Sequence, residues 1–312
     1  MQPPIHFIIS APRSGSTWLT KALGQHPELF ATEHRLFGDF AEIWTNNDGS
    51  SSPRITFDSY ARAFSVHYFH DELGLNREQF IENMQRAFVN FIVGYARRRS
   101  GCEKVIDKVT PYPGTAPRVI HKIRKLFPDS KVIQLVRDGR DVLTSGTFDW
   151  LLKDAAGTPR HDFFVNPDGA KSLERFFDDE VIQKWANNWM ETLQIFDKKP
   201  ADARVTYEQM KEDQASELRT IFTALQVDPS ESFVSACVES ATFEKMSGRK
   251  AGEDQPTAKT RKGITGDWRN YFTKRDAELF ADITSDRLIE LGYESSDDWI
   301  ADCPDSLNLE RE

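Results

Sequence analysis

This chain has few cysteines, no long hydrophobic run and no excess of positive charge. The cysteines, Cys102, Cys237 and Cys303, are far apart and odd in number, and they lack the spacing of metal ligands. We therefore expect reduced thiols, a cytoplasmic location and no metal site. No apolar run reaches the about 18 residues of a membrane span. No basic segment followed by an apolar one precedes residue 5, so we expect no signal peptide.

The charge balance limits the classes of partner. The 40 lysines and arginines are outnumbered by 49 aspartates and glutamates, which gives a formal net charge of −9. A nucleic-acid binder usually offers a basic face to the phosphates, so we expect no nucleic-acid partner, although a local basic pocket remains compatible. The 312 residues can bury a large core. Because neither a repeat nor a composition break divides them, we predict one domain over residues 1–312.

Short apolar runs alternate with helical patterns along the chain. Strands are predicted at residues 5–10, 104–106, 131–136 and 203–206. Helices are predicted at residues 17–24, 77–98, 116–127, 172–198, 208–225, 229–239 and 274–291, and another begins at residue 139. This alternation predicts an α/β fold of three layers around a central, mostly parallel sheet. The acidic tail, residues 294–312, is predicted to be frayed.

The first predicted strand runs into Ala11-Pro-Arg-Ser-Gly-Ser-Thr-Trp18, which begins a helix. The N-terminus of a helix binds anions, because its first N–H groups lack partners and its dipole favours negative charge. Small residues let the backbone approach a phosphate closely, an arginine adds a permanent cation, and a tryptophan offers a flat surface for a purine. The predicted contacts of this loop are Arg13, Ser14, Gly15, Ser16, Thr17 and Trp18.

Other phosphate-binding classes fit this loop less well. The P-loop of nucleoside triphosphatases needs Gly-x-x-x-x-Gly-Lys-Ser/Thr, and that string does not occur. An aspartate placed after a strand to hold Mg²⁺ is not evident either. Two alternatives stay open: a nucleotide kinase or phosphotransferase with a degenerate P-loop, and an inactive nucleotide-binding module.

Two further basic segments suit phosphates. Residues 131–136 lead into Arg137-Asp-Gly-Arg-Asp-Val-Leu-Thr-Ser145, again a strand followed by a helix. Ligands of parallel sheets bind outside the carboxyl ends of the strands, where this turn and the first loop would meet. Near the C-terminus, Arg261-Lys262-Gly263 precedes Gly-Asp-Trp-Arg-Asn-Tyr-Phe-Thr at residues 266–273.

Together these segments resemble the sulfotransferases that use 3'-phosphoadenosine 5'-phosphosulfate (PAPS). Residues 12–19 are similar to the family's 5'-phosphosulfate loop, and Arg137 with Ser145 matches its 3'-phosphate contacts. The C-terminal segment resembles the signature of the cytosolic branch, and Tyr207 and Phe243 match adenine contacts. The resemblance implies a P-loop-like fold, PAPS as co-substrate, adenosine 3',5'-bisphosphate as product, and no metal. The family position of Arg13 implies that it stabilises the charge of the leaving phosphate.

The resemblance does not single out the general base. The cytosolic branch carries a base histidine in Lys-Thr-His-Leu-Pro, but residues 105–111 read Val-Ile-Asp-Lys-Val-Thr-Pro. This string is more similar to the heparan-type branch, which implies Asp107 as a base candidate and Lys108 as a cation at the sulfuryl group. Tyrosylprotein and bacterial relatives place a base glutamate near His34, which makes His34, with Glu33 beside it, the other candidate.

The acceptor is expected to be a small molecule with a hydroxyl or amine. Residues about 36–100 and 147–171 are the predicted acceptor pocket and lid. Their aromatic content suggests an aromatic or apolar acceptor, through Trp44, Tyr60, Phe64, Tyr68, Trp150, Phe163 and Phe164.

Overall fold

The computed structural model describes most of the chain. The described residues are 5–33, 43–45, 51–53, 57–69, 74–111, 113–151, 158–166, 168–258 and 260–310. Within them, no helix combines the length and the apolar character needed to cross a membrane.

A five-stranded parallel sheet lies at the centre of the molecule. Its strand order is β2-β5-β1-β6-β8, with bounds β1 Ile5–Ile9, β2 Leu29–Thr32, β5 Lys104–Val109, β6 Val132–Val136 and β8 Ala203–Thr206. Strands β1 and β6 are buried along their whole length, as expected for apolar runs covered on both faces. The remaining strands form two antiparallel pairs: β3 Ile43–Thr45 with β4 Ser51–Pro53, and β7 Ser172–Leu173 with β9 Leu309–Glu310.

Helices connect the strands and cover the sheet. Their bounds are α1 Ser16–Leu23, α2 Phe57–Tyr68, α3 Arg77–Ser100, α4 Ala116–Leu126, α5 Gly139–Trp150, α6 Pro159–Phe164, α7 Asp179–Gln194, α8 Tyr207–Glu212, α9 Gln214–Leu225, α10 Glu231–Ser240, α11 Phe243–Ser247, α12 Lys274–Thr284 and α13 Arg287–Glu290. Two 3-10 helices span Asp267–Asn270 and Asp297–Ile300.

Alternation along the strands produces three layers. Ile8 of β1 points to a core built with α1, α9 and α10, whereas Phe7 and Ile9 point to a core built with α3 and α4. Because successive side chains of a strand face opposite ways, each strand supplies both cores. The predicted three-layer α/β fold with a central parallel sheet is confirmed.

The described part of the C-terminal tail, residues 294–310, packs on the protein, so the prediction that it is frayed is wrong for these residues. Trp299 is 6% exposed and Leu307 is 5% exposed, and both belong to a third core with α5, α7 and α12. Strand β9 pairs with β7, and Glu294 forms an ion pair with Arg140. The packing of these apolar residues could not be predicted, because the segment around them is acidic and their spacing is too irregular for a helical pattern.

Candidate functional site

The first loop, residues 11–15, leaves β1 and turns sharply into α1. Arg13 has φ of 69° and Gly15 has φ of 88°, so both lie in the left-handed region. Gly15 is the N-cap of α1 and supplies no side-chain hydrogen bond. The first N–H groups of α1 therefore stay available to an anion, as the sequence predicted for this turn.

Arg13 reaches from this loop to helix α5. Its Nε donates to Ser145 Oγ at 3.2 Å, and its Nη1 donates to Asp149 Oδ1 at 2.9 Å. Burial lowers the pKa of Arg13, Asp149 opposes this change, and the neighbouring cations Arg137 and Arg261 add to it. The structure thus brings together three arginines that the sequence assigned to three separate segments.

Arg137, which follows β6, ties the first loop to the C-terminal segment. Its Nη1 donates to the carbonyl oxygen of Arg13 at 3.0 Å, and its Nη2 donates to that of Ile264 at 3.1 Å. Its guanidinium lies 4.3 Å from the ring centroid of Tyr207. Burial works against the charge of Arg137, but the carboxylates around it, Asp141 first, outweigh burial and raise its pKa.

Asp141 on α5 holds the C-terminal segment in place. Its Oδ2 accepts the backbone N–H of Gly266 at 2.8 Å, and its Oδ1 accepts the backbone N–H of Trp268 at 3.0 Å. These bonds dock the Gly-Asp-Trp turn against the start of α5. They explain how residues more than a hundred positions apart form one wall.

Arg261 and Lys262 both face carboxylates. Arg261 donates through Nη1 to Asp254 at 3.1 Å and forms an ion pair with Asp267. Lys262 Nζ lies 3.2 Å from Asp254 and 3.0 Å from Asp267. Gly263 follows with φ of 65°, and a Cβ at this position would collide with the ring of Phe243.

Three aromatic residues lie next to these cations and glycines. The rings of Trp18 and Tyr207 meet edge to face with centroids 5.4 Å apart. Trp18 Nε1 donates to the carbonyl oxygen of Ala241 at 2.6 Å, which fixes its ring. Phe243 begins α11 nearby, and all three aromatic residues border one cavity. Flat rings of this kind suit a purine.

Lys108, near the end of β5, connects the first turn of α1 to the residue that follows β2. Its Nζ donates to Thr17 Oγ1 at 2.9 Å and forms an ion pair with Glu33 Oε2 at 2.8 Å. Glu33 directly follows β2, and both residues border the cavity. The predicted cation is therefore next to one of the base candidates.

Asp107 points away from the cavity, so its prediction as the base is corrected. It pairs in register with Phe7, whose side chain enters the α3–α4 core, and it is fully buried. Successive side chains of a strand face opposite ways, so Lys108 and Asp107 cannot border the same side of the sheet. The other candidate, His34, lies outside the described residues.

One cavity of about 1550 Å³ joins these features. Among the described residues that line it are ten lysines or arginines and six carboxylates. This excess of four positive charges contrasts with the net charge of −9 of the whole chain. In the described part of the chain, this cavity is the local basic pocket that remained compatible with the acidic composition.

The predicted acceptor aromatics are distributed between the cavity and the core. Trp150 is exposed and borders the cavity, and the half-buried Trp185 also lines it. Phe163 and Phe164 pack in the third core, and Phe64 stacks on Tyr68 within α2. For Trp44 and Tyr60 the structure describes the backbone alone.

A model of the sulfotransferase domain matches residues 3–292. The chain belongs to the sulfotransferase family. Curated relatives of this chain include sulfotransferase 1E1 of Rattus norvegicus, 26% identical over 186 residues, which are 53% of this chain and 60% of the relative. Sulfotransferase 2A1 of Homo sapiens is 27% identical over 203 residues, which are 57% of this chain and 66% of the relative. The chain thus spans about 60% of the first relative's length.

Solved structures of other proteins show the same fold as this chain. Mouse sulfotransferase SULT7A1, complexed with PAP, has 17% identity and a TM-score of 0.50, covering 95% of this chain and 90% of its own. The sulfotransferase domain of the Synechococcus PCC 7002 olefin synthase has 22% identity and a TM-score of 0.50, covering 91% and 95%. The family resemblance in the sequence is confirmed, whereas the roles of individual residues stay predictions.

Sequence reasoning assigned no role to four carboxylates of this site, Asp141, Asp149, Asp254 and Asp267. Asp149 lies one helical turn after Ser145, so its position on the same face of α5 could have been inferred. Asp254 lies in an irregular loop, and no sequence pattern indicates that it reaches Arg261 and Lys262.

Proposed function

We propose that this protein transfers the sulfuryl group of PAPS to a hydroxyl or amine of a small molecule and leaves adenosine 3',5'-bisphosphate. The proposal rests on one observation: the first loop, Arg137 with Ser145, and residues 261–263 all line the same cavity. A nucleotide with phosphates at both its 3' and 5' ends needs two anion sites, which a triphosphate does not. Family membership supports the same chemistry.

The residues around the cavity suit this co-substrate. At Gly15 and Gly263 a side chain would collide with Tyr207 and Phe243, so backbone and ring stay close enough to cradle a nucleotide. The Nε atoms of Arg137 and Arg261 are buried and have no hydrogen-bond partner among the described residues. Phosphate binding requires cations that still have N–H groups available to donate hydrogen bonds.

Each part of the co-substrate has its own group of residues in this proposal. The 5'-phosphosulfate is held by Arg13, Ser14, Gly15, Ser16 and Thr17. The 3'-phosphate is held by Arg137, Ser145, Arg261, Lys262 and Gly263. The adenine is held by Trp18, Tyr207 and Phe243.

Arg13 and Lys108 stabilise charge in the proposed reaction. PAPS supplies the sulfuryl group together with a phosphate leaving group. A guanidinium does not lose its proton, so Arg13 contributes as a fixed charge at the leaving phosphate. Lys108, held beside Thr17 at 2.9 Å, contributes a second charge on the sulfuryl side.

We propose Glu33 as the general base that takes the acceptor's proton. It borders the cavity and lies 2.8 Å from Lys108, next to the position of the sulfuryl group in this proposal. A base must be within hydrogen-bond reach of the proton that it removes, and Asp107 on the opposite face of β5 does not meet this condition. His34 follows Glu33 and remains the alternative.

The proposed acceptor is an aromatic or apolar small molecule. Trp150, Trp185 and Val181 line the cavity, and aromatic walls favour apolar ligands. We propose that residues about 36–100 and 147–171 form the acceptor side of a single domain. The three cysteines are free thiols, which supports a reducing, cytoplasmic location.

Calorimetry with adenosine 3',5'-bisphosphate tests the proposed function. We expect tight binding by the wild type and loss of binding in an Arg137→Ala, Ser145→Ala double variant. Arg287→Ala removes a surface arginine that pairs with Asp197 and serves as the control, with unchanged affinity. No binding by the wild type, or full binding by the double variant, would refute the proposal.

Product analysis separates the two rival functions. Incubation with PAPS and a panel of phenols, alcohols and amines should yield sulfated products, detected by mass spectrometry. Mg²⁺-dependent turnover of ATP would instead indicate a phosphotransferase. Binding of the bisphosphate without any sulfated product would indicate an inactive nucleotide-binding module.

A further inference from the structure

Helix α5 holds Arg13 at two points. Nε of Arg13 donates to Ser145 Oγ at 3.2 Å, and Nη1 donates to Asp149 Oδ1 at 2.9 Å. Ser145 and Asp149 are one turn apart on α5, so their side chains share a helix face. Two contacts to one planar guanidinium fix both its position and its orientation.

Asp149 also balances positive charge at this point of the cavity. Burial lowers the pKa of Arg13. The nearby cations Arg137 and Arg261 lower it further, and the Asp149 carboxylate opposes these effects. The Asp149 side chain is 32% exposed and borders the same cavity as Arg13. Its negative charge therefore acts on Arg13 and also on any anion bound beside it.

We infer that Asp149 is a positioning residue for sulfuryl transfer, which acts by aligning the Arg13 guanidinium. This inference rests on the proposed function, because it assigns Arg13 to the leaving phosphate. Asp149 itself contacts no reacting atom. Its hydrogen bond keeps Arg13 aligned, and its charge prevents the surrounding arginines from holding the nucleotide too strongly.

Removal of the charge therefore has two opposite effects. The cavity becomes more positive, so adenosine 3',5'-bisphosphate binds more tightly. Arg13 loses one of its two anchors on α5, so transfer slows. A substitution that only disturbed the fold would weaken binding and transfer together, and this difference makes the inference testable.

The test compares Asp149→Asn with the wild type. Bisphosphate affinity is measured by calorimetry, and transfer is measured in single turnovers of PAPS with 2-naphthol, or with water where 2-naphthol is not accepted. We expect binding about threefold to fivefold tighter, the range of a partly exposed charge pair. We expect transfer about tenfold slower, since a misplacement of about 1 Å costs up to about 10²-fold and Ser145 still holds Arg13 in this variant.

Three companion variants sharpen the result. Asp149→Glu keeps the charge and should restore transfer to within about threefold of wild type. Asp197→Asn, which removes a surface carboxylate paired with Arg287, should change neither quantity. In an Arg13→Ala background, Asp149→Asn should slow transfer no further, because its effect on the rate acts through Arg13.

The outcomes separate this inference from the proposed function. A wild type that binds no bisphosphate contradicts the proposed function and, with it, the role of Asp149. If the wild type binds the bisphosphate, but Asp149→Asn is unchanged in both binding and transfer or weakened in both, the inference is overturned and the proposed function is not. Rate losses that add in the double variant also overturn it.

Discussion

The ring of Tyr207 lies directly against Gly15, where a Cβ would stand 2.5 Å from Cδ2 of the tyrosine. Gly15 also has φ of +88°, a conformation that other residues adopt at a cost of about 1–2 kcal/mol. We expect Gly15→Ala to lower the free energy of unfolding by at least this amount. Because the ring must move, bisphosphate affinity should fall about tenfold, since stacking of one aromatic side chain on a base contributes about 1–3 kcal/mol.

Gly101→Ala is the matched control for that substitution. Gly101 caps α3 with φ of +74°, but no atom lies within 4 Å of the position of its Cβ. The variant should lose about 1–2 kcal/mol in urea unfolding and keep its nucleotide affinity. Equal affinities in the two variants would show that contact between Gly15 and Tyr207 does not shape the nucleotide site.

Substitution of the proposed base tests its identity. Glu33→Gln should lower kcat by about 10²–10⁴, the usual contribution of a general base, and leave bisphosphate binding intact. Asp107→Asn should keep kcat in the fraction that remains folded, because this side chain faces the opposite core. Steady-state kinetics and calorimetry give both quantities. A large loss of kcat in His34→Gln but not in Glu33→Gln would transfer the role to His34.

The carboxylate of Asp254 competes with a bound phosphate for Arg261 and Lys262. Its oxygens lie 3.1 Å from Arg261 Nη1 and 3.2 Å from Lys262 Nζ. Asp254→Asn should therefore tighten bisphosphate binding, by up to about fivefold for a partly exposed pair. Glu253→Gln removes the same charge from the neighbouring residue and should change the affinity less. Weaker binding in Asp254→Asn would mean that Asp254 supports the phosphate site instead.

His6 makes the stability of the fold depend on pH. Burial, aided by Lys104 and Lys131, lowers its pKa from 6.5 to about 4, and its Nδ1 accepts the N–H of Lys131 at 3.0 Å. Below pH 6.5 the unfolded chain binds a proton that the folded protein does not, so stability falls as the pH decreases towards 4. Between pH 7 and pH 5 this contribution amounts to about 2 kcal/mol.

Urea unfolding of His6→Asn at the two pH values measures this contribution. Asparagine keeps an acceptor for the N–H of Lys131 but does not titrate, so the variant should lose about 2 kcal/mol less than wild type on acidification. His121→Asn, at an exposed position of α4, should behave like wild type. Parallel losses in all three proteins would contradict a role for His6.

The sheet could be predicted where its strands are apolar runs buried on both faces, as in Ile5–Ile9 and Val132–Val136. Strand β2 was not predicted. It has four residues and a mixed pattern, and its place comes from pairing with β5 through contacts such as Ala31 with Ile106. Such pairing joins segments that are distant in the sequence, so it cannot be predicted from the local periodicity of apolar residues.

The same division holds for the candidate site. The cations Arg13, Arg137 and Arg261 were found because basic residues follow strands or stand beside glycine in the sequence. Their carboxylate partners were not found, since the pairing of Arg13 with Asp149 requires the turn at β1 to meet the end of α5. That the Asp107 side chain faces away from Lys108 could have been predicted, because neighbouring side chains of a strand point to opposite faces of the sheet.

The packed tail sets a practical limit for shortened forms of this protein. The family match ends at residue 292, but Trp299 packs edge to face on Trp268, and the guanidinium of Arg140 contacts both rings, 3.9 Å from the centroid of Trp268 and 4.6 Å from that of Trp299. A chain cut at the family boundary would uncover Trp268, the residue whose N–H bonds to Asp141. The turn at residues 266–268, which borders the cavity through Asp267, would then be held less firmly. The useful C-terminal boundary therefore lies beyond Leu309.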